Sequence, residues 1–215
     1  MSFRAPPQIS NCVEKPRARL SMLGRMAAEL NDTALMLRYK DGDVAAFDTL
    51  YARHRLPLFR YLMRRVGNQQ LAEDVFQEVW RRIISNRSNY RPSAQFVAYL
   101  YHIARNCTAD HFRRAGKSQA TLSAAQEELT DIERPDEPVQ SAMQRDTRQT
   151  LLGALAELPE EQRETFLLRQ ESELSLDEIA TITGVGIETV RSRLRYAISK
   201  LRKHIQATDL AAEGS

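Results

Sequence analysis

Residues 176–194, LDEIATITGVGIETVRSRL, decide the fold of the C-terminal part of this 215-residue chain. Ser175 and Glu178 have the spacing of a capping box at the start of a first helix. Gly184 follows that helix where a tight turn needs a positive φ angle. The small Ala180 lets a second helix approach closely. The spacing predicts a helix-turn-helix, whose second helix enters the major groove of DNA.

The second helix of this motif has an apolar side and a basic side. Its predicted buried stripe is Ile187, Val190, Leu194, Ile198 and Leu201. The residues left outside are Glu188, Arg191, Ser192, Arg193 and Arg195. Arginine in this position can bind guanine edges and phosphates. The alternative is an ordinary helical hairpin with a solvated basic face.

Composition excludes several protein classes. A hydrophobic content of 42% is too high for a wholly disordered chain, and 7% aromatic residues with 8 Gly and 8 Pro argue against collagen-like and aromatic-rich β architectures. Two cysteines make no disulfide framework, so we expect a reducing, cytoplasmic compartment. The chain has neither an apolar run of about 18 residues nor the apolar core of a secretory signal.

Charge is unevenly distributed along the chain. Residues 1–117 hold 20 Lys and Arg against 10 Asp and Glu, whereas residues 118–143 hold 1 against 6. Residues 186–204 are basic again, with 6 against 1. Two basic regions separated by an acidic segment indicate a polyanionic partner that is contacted at two places.

Helical periodicity dominates, and no β-hairpin signal is present. Helices are expected at 34–39, 44–66 and 71–84, from a cap at Ser93 to 114, at 144–158, from Pro159 onward, and at 176–183 and 187–205. Asp32 or Thr33 would cap the first, and Pro57 should kink the second. We predict an all-α fold of two small helical domains joined by an acidic flexible linker. The predicted parts are a flexible basic arm at 1–31, a domain at 32–117, the linker at 118–143, a helix-turn-helix domain at 144–207 and a tail at 208–215.

Two further helices carry candidate binding residues. The helix at 96–114 combines aromatic and basic residues beside a polar loop, a combination that can hold unstacked single-stranded bases. The alternative interpretation is a core helix with one solvent-exposed side. The outward residues of 71–83 are charged, so that helix is either simply solvated or docks a partner helix.

Five stretches resemble, in this order, the extracytoplasmic-function (ECF) sigma factors of bacterial RNA polymerase. They are DVAAFDTLY (43–51), LAEDVFQEVW (71–80), FVAYLYHIARNCTADHFRR (96–114), LPEEQR (158–163) and residues 176–194. The resemblance covers 34–117 and 144–205. It implies a subunit that binds core polymerase and directs promoter-specific initiation, with no catalytic residue, cofactor or metal of its own.

The resemblance also implies residue roles. The residues implied to dock on the clamp helices of the largest polymerase subunit are Asp74, Gln77 and Glu78. Those implied for the −10 element are Asn86, Arg87, Ser88, Asn89, Tyr90, Tyr99, Asn106, Arg113 and Arg114. Those implied for the −35 element are Glu188, Arg191, Ser192 and Arg195. The C-terminal domain would also contact the polymerase flap region, and the usual regulator is an anti-sigma factor, often membrane-anchored.

Three features depart from the family pattern. Tyr99 replaces the usual Trp, Gly186 replaces a Ser that commonly caps the second helix of the motif, and the 31-residue arm is longer than the family needs. Glycine is only slightly weaker as a cap, but a hydroxyl for phosphate is lost. A metal site from Cys107 and His111 is less favoured than a buried core thiol.

The sequence leaves two other functions as alternatives. An ordinary helix-turn-helix regulator leaves the stretches at 71–80 and 96–106 unexplained. A DNA-processing enzyme is suggested by Tyr51, Arg53, His54 and Arg55, but neighbouring helix positions point in different directions and cannot converge on one phosphate.

Overall fold

The computed structural model describes residues 30–114 and 150–213, with side chains as far as residue 206. All regular structure within these ranges is helical, which confirms the all-α prediction. The expected arm at 1–31 (except its last two residues), the acidic linker at 118–143 and residues 144–149 of the expected helix lie outside the described residues.

The N-terminal domain is built from four α-helices and one short 3-10 helix. These are α1 (Asp32–Lys40), α2 (Val44–Val66), α3 (Gln69–Ser85), a 3-10 turn (Arg87–Asn89) and α4 (Phe96–Arg114). The predicted cap of α1 was wrong. Asn31 is the cap, since its side chain accepts a hydrogen bond from the Ala34 N–H at 2.8 Å. Pro57 lies inside an uninterrupted α2.

Asp32 instead anchors α1 to α2. Its carboxylate oxygens lie 2.6 Å from Arg53 Nη1 and 2.7 Å from His54 Nε2. Burial alone would raise the pKa of Asp32, but the hydrogen bonds from His54 and Arg53 outweigh it and lower that pKa. The carboxylate therefore remains ionised at neutral pH and fixes the short first helix on the longer second one.

Apolar residues from α1, α2, α3 and α4 form the core of this domain. Burying each large side chain contributes about 1.5–3 kcal/mol relative to leaving it exposed. Fully buried examples are Leu35, Leu50, Leu58, Leu62, Val79, Ile83 and Leu100. Cys107 is buried among them, as the core-thiol interpretation predicted, and its burial raises the pKa of the thiol. The described residues hold no cluster of three or more potential metal ligands.

The C-terminal domain contains a helical segment at 150–156 followed by three complete helices. These are α5 (Glu160–Ser172), α6 (Leu176–Thr183) and α7 (Ile187–Glu213). Thus α7 extends past the predicted end at 205 and into the expected tail. Leu167, Ile179 and Val190 are fully buried where α5, α6 and α7 meet.

The two domains touch each other, because α5 packs against α2 and α4, and α4 also packs against α6. Among the residues that the structure describes, no helix has the length and apolar character needed to cross a lipid bilayer.

Candidate nucleic-acid interface

The turn between α6 and α7 fixes the direction of the candidate DNA-reading helix. The Ser175 hydroxyl accepts from the Glu178 N–H at 3.2 Å, and the Glu178 carboxylate accepts from the Ser175 N–H at 2.9 Å, so the predicted capping box is present. Gly184 has a φ of 72°, and its N–H donates to Ala180 O at 2.9 Å. This left-handed residue ends α6 and allows α7 to start three residues later.

A basic groove runs along α7. It has a volume of about 580 Å³, and its apolar floor combines Leu176 of α6 with Leu194 and Ile198 of α7. The cationic side chains that line it are Arg191, Arg195, Arg202 and Lys203. This stripe of positive charge is suited to follow a polyanion.

The predicted burial of α7 was wrong at Ile198, which is 41% exposed. Ala197 is buried instead, between Val190 and Leu201. The buried side of α7 is therefore formed by Val190, Ala197 and Leu201. Ile198 instead lines the groove together with the arginines.

The four residues predicted for −35 recognition differ in exposure. Glu188, Arg191 and Arg195 are exposed, whereas Ser192 is half-buried. Arg191 Nη1 lies 2.7 Å from Glu188 Oε1, and the Arg195 guanidinium stacks 5.3 Å from the centre of the Tyr196 ring. Both arginines remain in solvent, one helical turn apart, at the N-terminal end of α7.

The loop after α3 presents four of the nine residues predicted for the −10 element. Asn86, Arg87, Ser88 and Asn89 are all exposed, and Arg87 stacks 5.4 Å from the centre of the Tyr39 ring. These polar side chains stand free of the core and can reach a nucleic-acid strand.

The two tyrosines predicted beside this loop lie deeper. Tyr90 is only 3% exposed, so it cannot present its ring to a base in this conformation, and its backbone oxygen accepts from Lys40 Nζ at 2.8 Å. Tyr99 is half-buried, with its ring 5.2 Å from that of Tyr90. Burial raises the pKa of both phenols. The pair supports the loop from beneath.

The outer side of α4 continues this surface. Arg113 and Arg114 are exposed, and Asn106 is half-buried. The amide nitrogen of Asn106 lies 3.0 Å from His102 Nε2. His102 is exposed, and the sequence analysis missed it. Its spacing of four residues from Asn106, off the apolar stripe of α4, was the available signal.

The candidate docking residues lie on α3. Asp74 and Gln77 are exposed, whereas Glu78 is half-buried. Glu78 accepts from Arg82 Nε at 2.8 Å and also contacts Arg81. Asp74 is therefore the more accessible carboxylate for a basic partner.

Comparison with protein families gives two matches. Residues 50–118 match Sigma-70 region 2, and residues 154–203 match Sigma-70 region 4. The RNA polymerase sigma factor CarQ of Myxococcus xanthus is 31% identical over 175 residues, which cover 81% of this chain and 98% of CarQ. The RNA polymerase sigma-H factor of Pseudomonas aeruginosa is 32% identical over 191 residues, with 84% and 97% covered.

Solved structures show the same fold. CnrH, in complex with the cytosolic domain of CnrY, has a TM-score of 0.58 at 22% identity, covering 82% of this chain and 97% of CnrH. RpoE of Bartonella quintana, in complex with the anti-sigma factor NepR, has a TM-score of 0.59 at 21% identity, covering 74% of this chain and 96% of RpoE.

Two helical domains, one with a helix-turn-helix and a basic groove, define a DNA-binding protein of the sigma-70 type. The chain belongs to the ECF sigma factors, non-enzymatic initiation factors that bind core RNA polymerase and direct it to promoters.

Proposed function

We propose that this sigma factor reads the −35 element with the N-terminal turns of α7. The exposure of Arg191 and Arg195 on one side of α7, directly after the Gly184 turn, carries this proposal. Glu188 and Ser192 complete the contact surface. Arg191 would release Glu188 and bind a guanine edge, since a guanidinium matches the two acceptors of guanine.

The −10 element is assigned to the exposed loop and the outer side of α4. The supporting observation is that the polar side chains of the loop are free of the core. The contact residues proposed are Asn86, Arg87, Ser88, Asn89, Asn106, Arg113 and Arg114. Tyr90 supports the loop from within, Tyr99 lies at its edge, and His102 joins the surface through Asn106.

Docking on the clamp helices of the largest polymerase subunit is assigned to α3, through Asp74, Gln77 and Glu78. The exposed Asp74 carboxylate and Gln77 amide, with the half-buried Glu78 beside them, fit a basic, polar partner helix. The C-terminal domain would add a second contact at the flap region. In this proposal residues 32–117 form sigma domain 2 and residues 144–207 form sigma domain 4.

An anti-sigma factor is the regulator that we propose for this chain, and a membrane-anchored one fits the pattern of the family. CnrY and NepR, in the complexes with CnrH and RpoE, are the precedents. Because the factor has to meet polymerase and DNA, we place its action in the cytoplasm.

Run-off transcription with purified core polymerase tests this proposal. Templates with an intact promoter, a scrambled −10 element or a scrambled −35 element are compared at equal sigma concentration. We expect a transcript only when polymerase and this chain are both present, and a separate loss for each scrambled element. Equal transcription from all three templates would contradict the assignment of separate surfaces to the −10 and −35 elements.

A further inference from the structure

The loop proposed for the −10 element, here the −10 loop (residues 86–93), is buried at a single residue. Between Ile84 and Gln95 every residue is exposed except Tyr90, which is 3% exposed. The 3-10 turn at Arg87–Asn89 is one turn long, and so short a turn has little stability of its own. The shape of the loop therefore depends on what holds residue 90.

The side chain of Tyr90 is held by aromatic contacts with α4. Its ring lies 5.2 Å from the ring of Tyr99, which in turn lies 6.4 Å from the ring of the buried Phe96. Rotatable side-chain torsions separate the Tyr90 ring from its backbone. The backbone therefore needs a contact of its own to be held in one direction.

That backbone contact comes from Lys40, the last residue of α1. Lys40 is half-buried, and its Nζ donates to Tyr90 O at 2.8 Å although the two residues are 50 positions apart. Hydrogen bonds from a charged donor are shorter and roughly twice as strong as neutral ones. Tyr90 is also where the 3-10 turn ends, since its N–H donates to Arg87 O at 3.2 Å. One ammonium group thus holds the loop at the end of its turn.

Lys40 is not needed to end its own helix. The Asp41 N–H closes α1 by donating to Leu37 O at 3.1 Å. Arg38, the other basic residue in the last turn of α1, pairs with Asp43 at 2.6 Å. A lysine at a helix C-terminus commonly binds the last carbonyls of that helix. Lys40 instead binds a carbonyl of a different element, which indicates a role in the loop.

The residue before Lys40 faces the same loop. Tyr39 is 5% exposed, and its ring lies 4.7 Å from the ring of Phe47 on α2, so it belongs to the core. The Arg87 guanidinium stacks on this ring from the solvent side. Such an exposed cation–π contact is weak. Arg87 is therefore free to leave for a DNA strand while Lys40 keeps the backbone in place.

Helix α1 is itself a fixed support. At its first residue Asp32 pairs with Arg53 and His54 of α2, and its middle residues Leu35 and Met36 are fully buried. A hydrogen bond from a fixed helix restricts the loop before DNA arrives. Restriction in advance lowers the ordering cost that binding would otherwise have to meet.

We propose that Lys40 is a positioning residue for −10 recognition: its ammonium holds the backbone of Tyr90 and keeps the exposed side chains of 86–89 directed toward a single strand. This inference rests on the proposed −10 surface. Removing the ammonium leaves every proposed contact residue in place but releases the loop. A loosely held loop discriminates poorly between bases, so the preference for the cognate sequence falls more than binding in general.

Trypsin cleavage after Arg87 tests the hold on the loop without DNA. Cleavage requires the loop to leave its place, and the competing Arg91 precedes Pro92, where trypsin cuts poorly. We expect Lys40→Met to raise the rate of cleavage after Arg87 in the free chain by roughly fivefold or more. Lys40→Arg retains a cationic donor and should stay near the wild-type rate. The exposed Lys200→Met is the matched control and should leave the rate unchanged.

Binding of single-stranded DNA by the holoenzyme supplies the functional measurement. The probes are a labelled −10 oligonucleotide from the promoter used in run-off transcription and the same oligonucleotide with its −10 bases substituted. By fluorescence anisotropy, K40M should bind the cognate probe roughly fivefold or more weakly, with little change for the substituted probe, and K40R should restore the difference. A merely structural defect would weaken both probes and core polymerase alike. Emission of Trp80, the one tryptophan of the chain, checks that the domain stays folded.

Three results would each overturn the proposal: equal cleavage rates in K40M and wild type, an unchanged probe preference in K40M, or a lost preference that K40R fails to restore. Failure of the −10 assignment is distinguishable, because it appears in wild type alone. Wild type would then bind the cognate and substituted probes equally, and the proposed role of Lys40 in recognition would fall with it.

Discussion

Arg82 Nη2 donates a 3.0 Å hydrogen bond to Asp110 Oδ2, which joins the helix assigned to polymerase docking to the helix assigned to −10 DNA. Arg82 also binds Glu78, and Asp110 accepts from Arg113 Nη2 at 2.6 Å. The pKa of Asp110 is lowered, and the hydrogen bond from Arg82 is the largest cause. Together with Arg113 it outweighs desolvation, which alone would raise this pKa. A continuous set of charges therefore connects a docking residue to a DNA residue.

Arg82→Ala is expected to weaken binding of a single-stranded −10 oligonucleotide by the holoenzyme. The loss should be about fivefold at most, because partly exposed ion pairs contribute little. Arg81→Ala is the matched control, since Arg81 contacts Glu78 and is 74% exposed. Fluorescence anisotropy measures both affinities. Equal losses for the two variants would show that the contact with Asp110 has no separate role.

Polymerase docking is tested most cleanly at Asp74. Reversal at Glu78 would also disturb Arg82, whereas Asp74 is exposed on the outer side of α3. We expect Asp74→Arg to lower core polymerase affinity by roughly tenfold or more, since a like charge then faces the basic partner. Asp48→Arg, an exposed reversal on α2, is the control. Identical affinities for the two variants would remove the docking assignment.

Gly186 offers a gain-of-function test. Its carbonyl accepts from the Val190 N–H at 3.1 Å, its φ is not in the left-handed region, and a Cβ would have no heavy atom within 4 Å. Gly186→Ser should stabilise α7 by a few tenths of a kcal/mol and add a hydroxyl for phosphate. Gly184→Ser should instead destabilise the domain by about 1–2 kcal/mol, because its φ is 72°. Denaturant unfolding measures both; a destabilised G186S would contradict the cap assignment.

Asp32 predicts a pH dependence of stability. Its folded-state pKa lies below the ordinary value of 3.8, so the ionised carboxylate stabilises the fold above pH 3.8, and this contribution is lost as the pH falls through the folded value. Asp32→Asn should cost roughly 1–2 kcal/mol at pH 7. The difference from wild type should shrink below pH 3.8 in urea titrations. A difference that is constant down to pH 2.5 would exclude the ion pairs as its source.

Local features of the fold were predictable because they depend on neighbours in sequence. The Ser175–Glu178 box, the Gly184 turn and the end of α4 at Arg114 follow from spacing alone, whereas α4 begins at Phe96 and not directly after the predicted Ser93 cap. Spacing did not fix which side of the 27-residue α7 is buried. Ala197 is buried in place of the predicted Ile198, one position away. Apolar periodicity cannot distinguish a buried side chain from one that lines an exposed groove.

Contacts between distant residues were beyond the reach of the sequence. Arg60 and Arg64 have the spacing of a solvated helix side, and nothing near them indicates that Glu171 faces them. Arg82 and Asp110 pair across two helices for the same reason. The resemblance identified the loop at 86–93, but only the structure shows that Tyr90 points inward.

Transcription across a −35 substitution library, comparing wild type with Arg191→Ala and Lys203→Ala, tests the central claim most directly. Arg191 lies in the first turns of α7, whereas Lys203 lies three turns further along the groove. A base-reading arginine contributes about 1–3 kcal/mol of discrimination, and a phosphate contact weakens all sequences alike. We predict that Arg191→Ala lowers cognate transcription roughly tenfold or more and broadens the −35 preference, while Lys203→Ala keeps the preference. An R191A protein that is weaker on every −35 sequence by the same factor would contradict the placement of α7 in the groove.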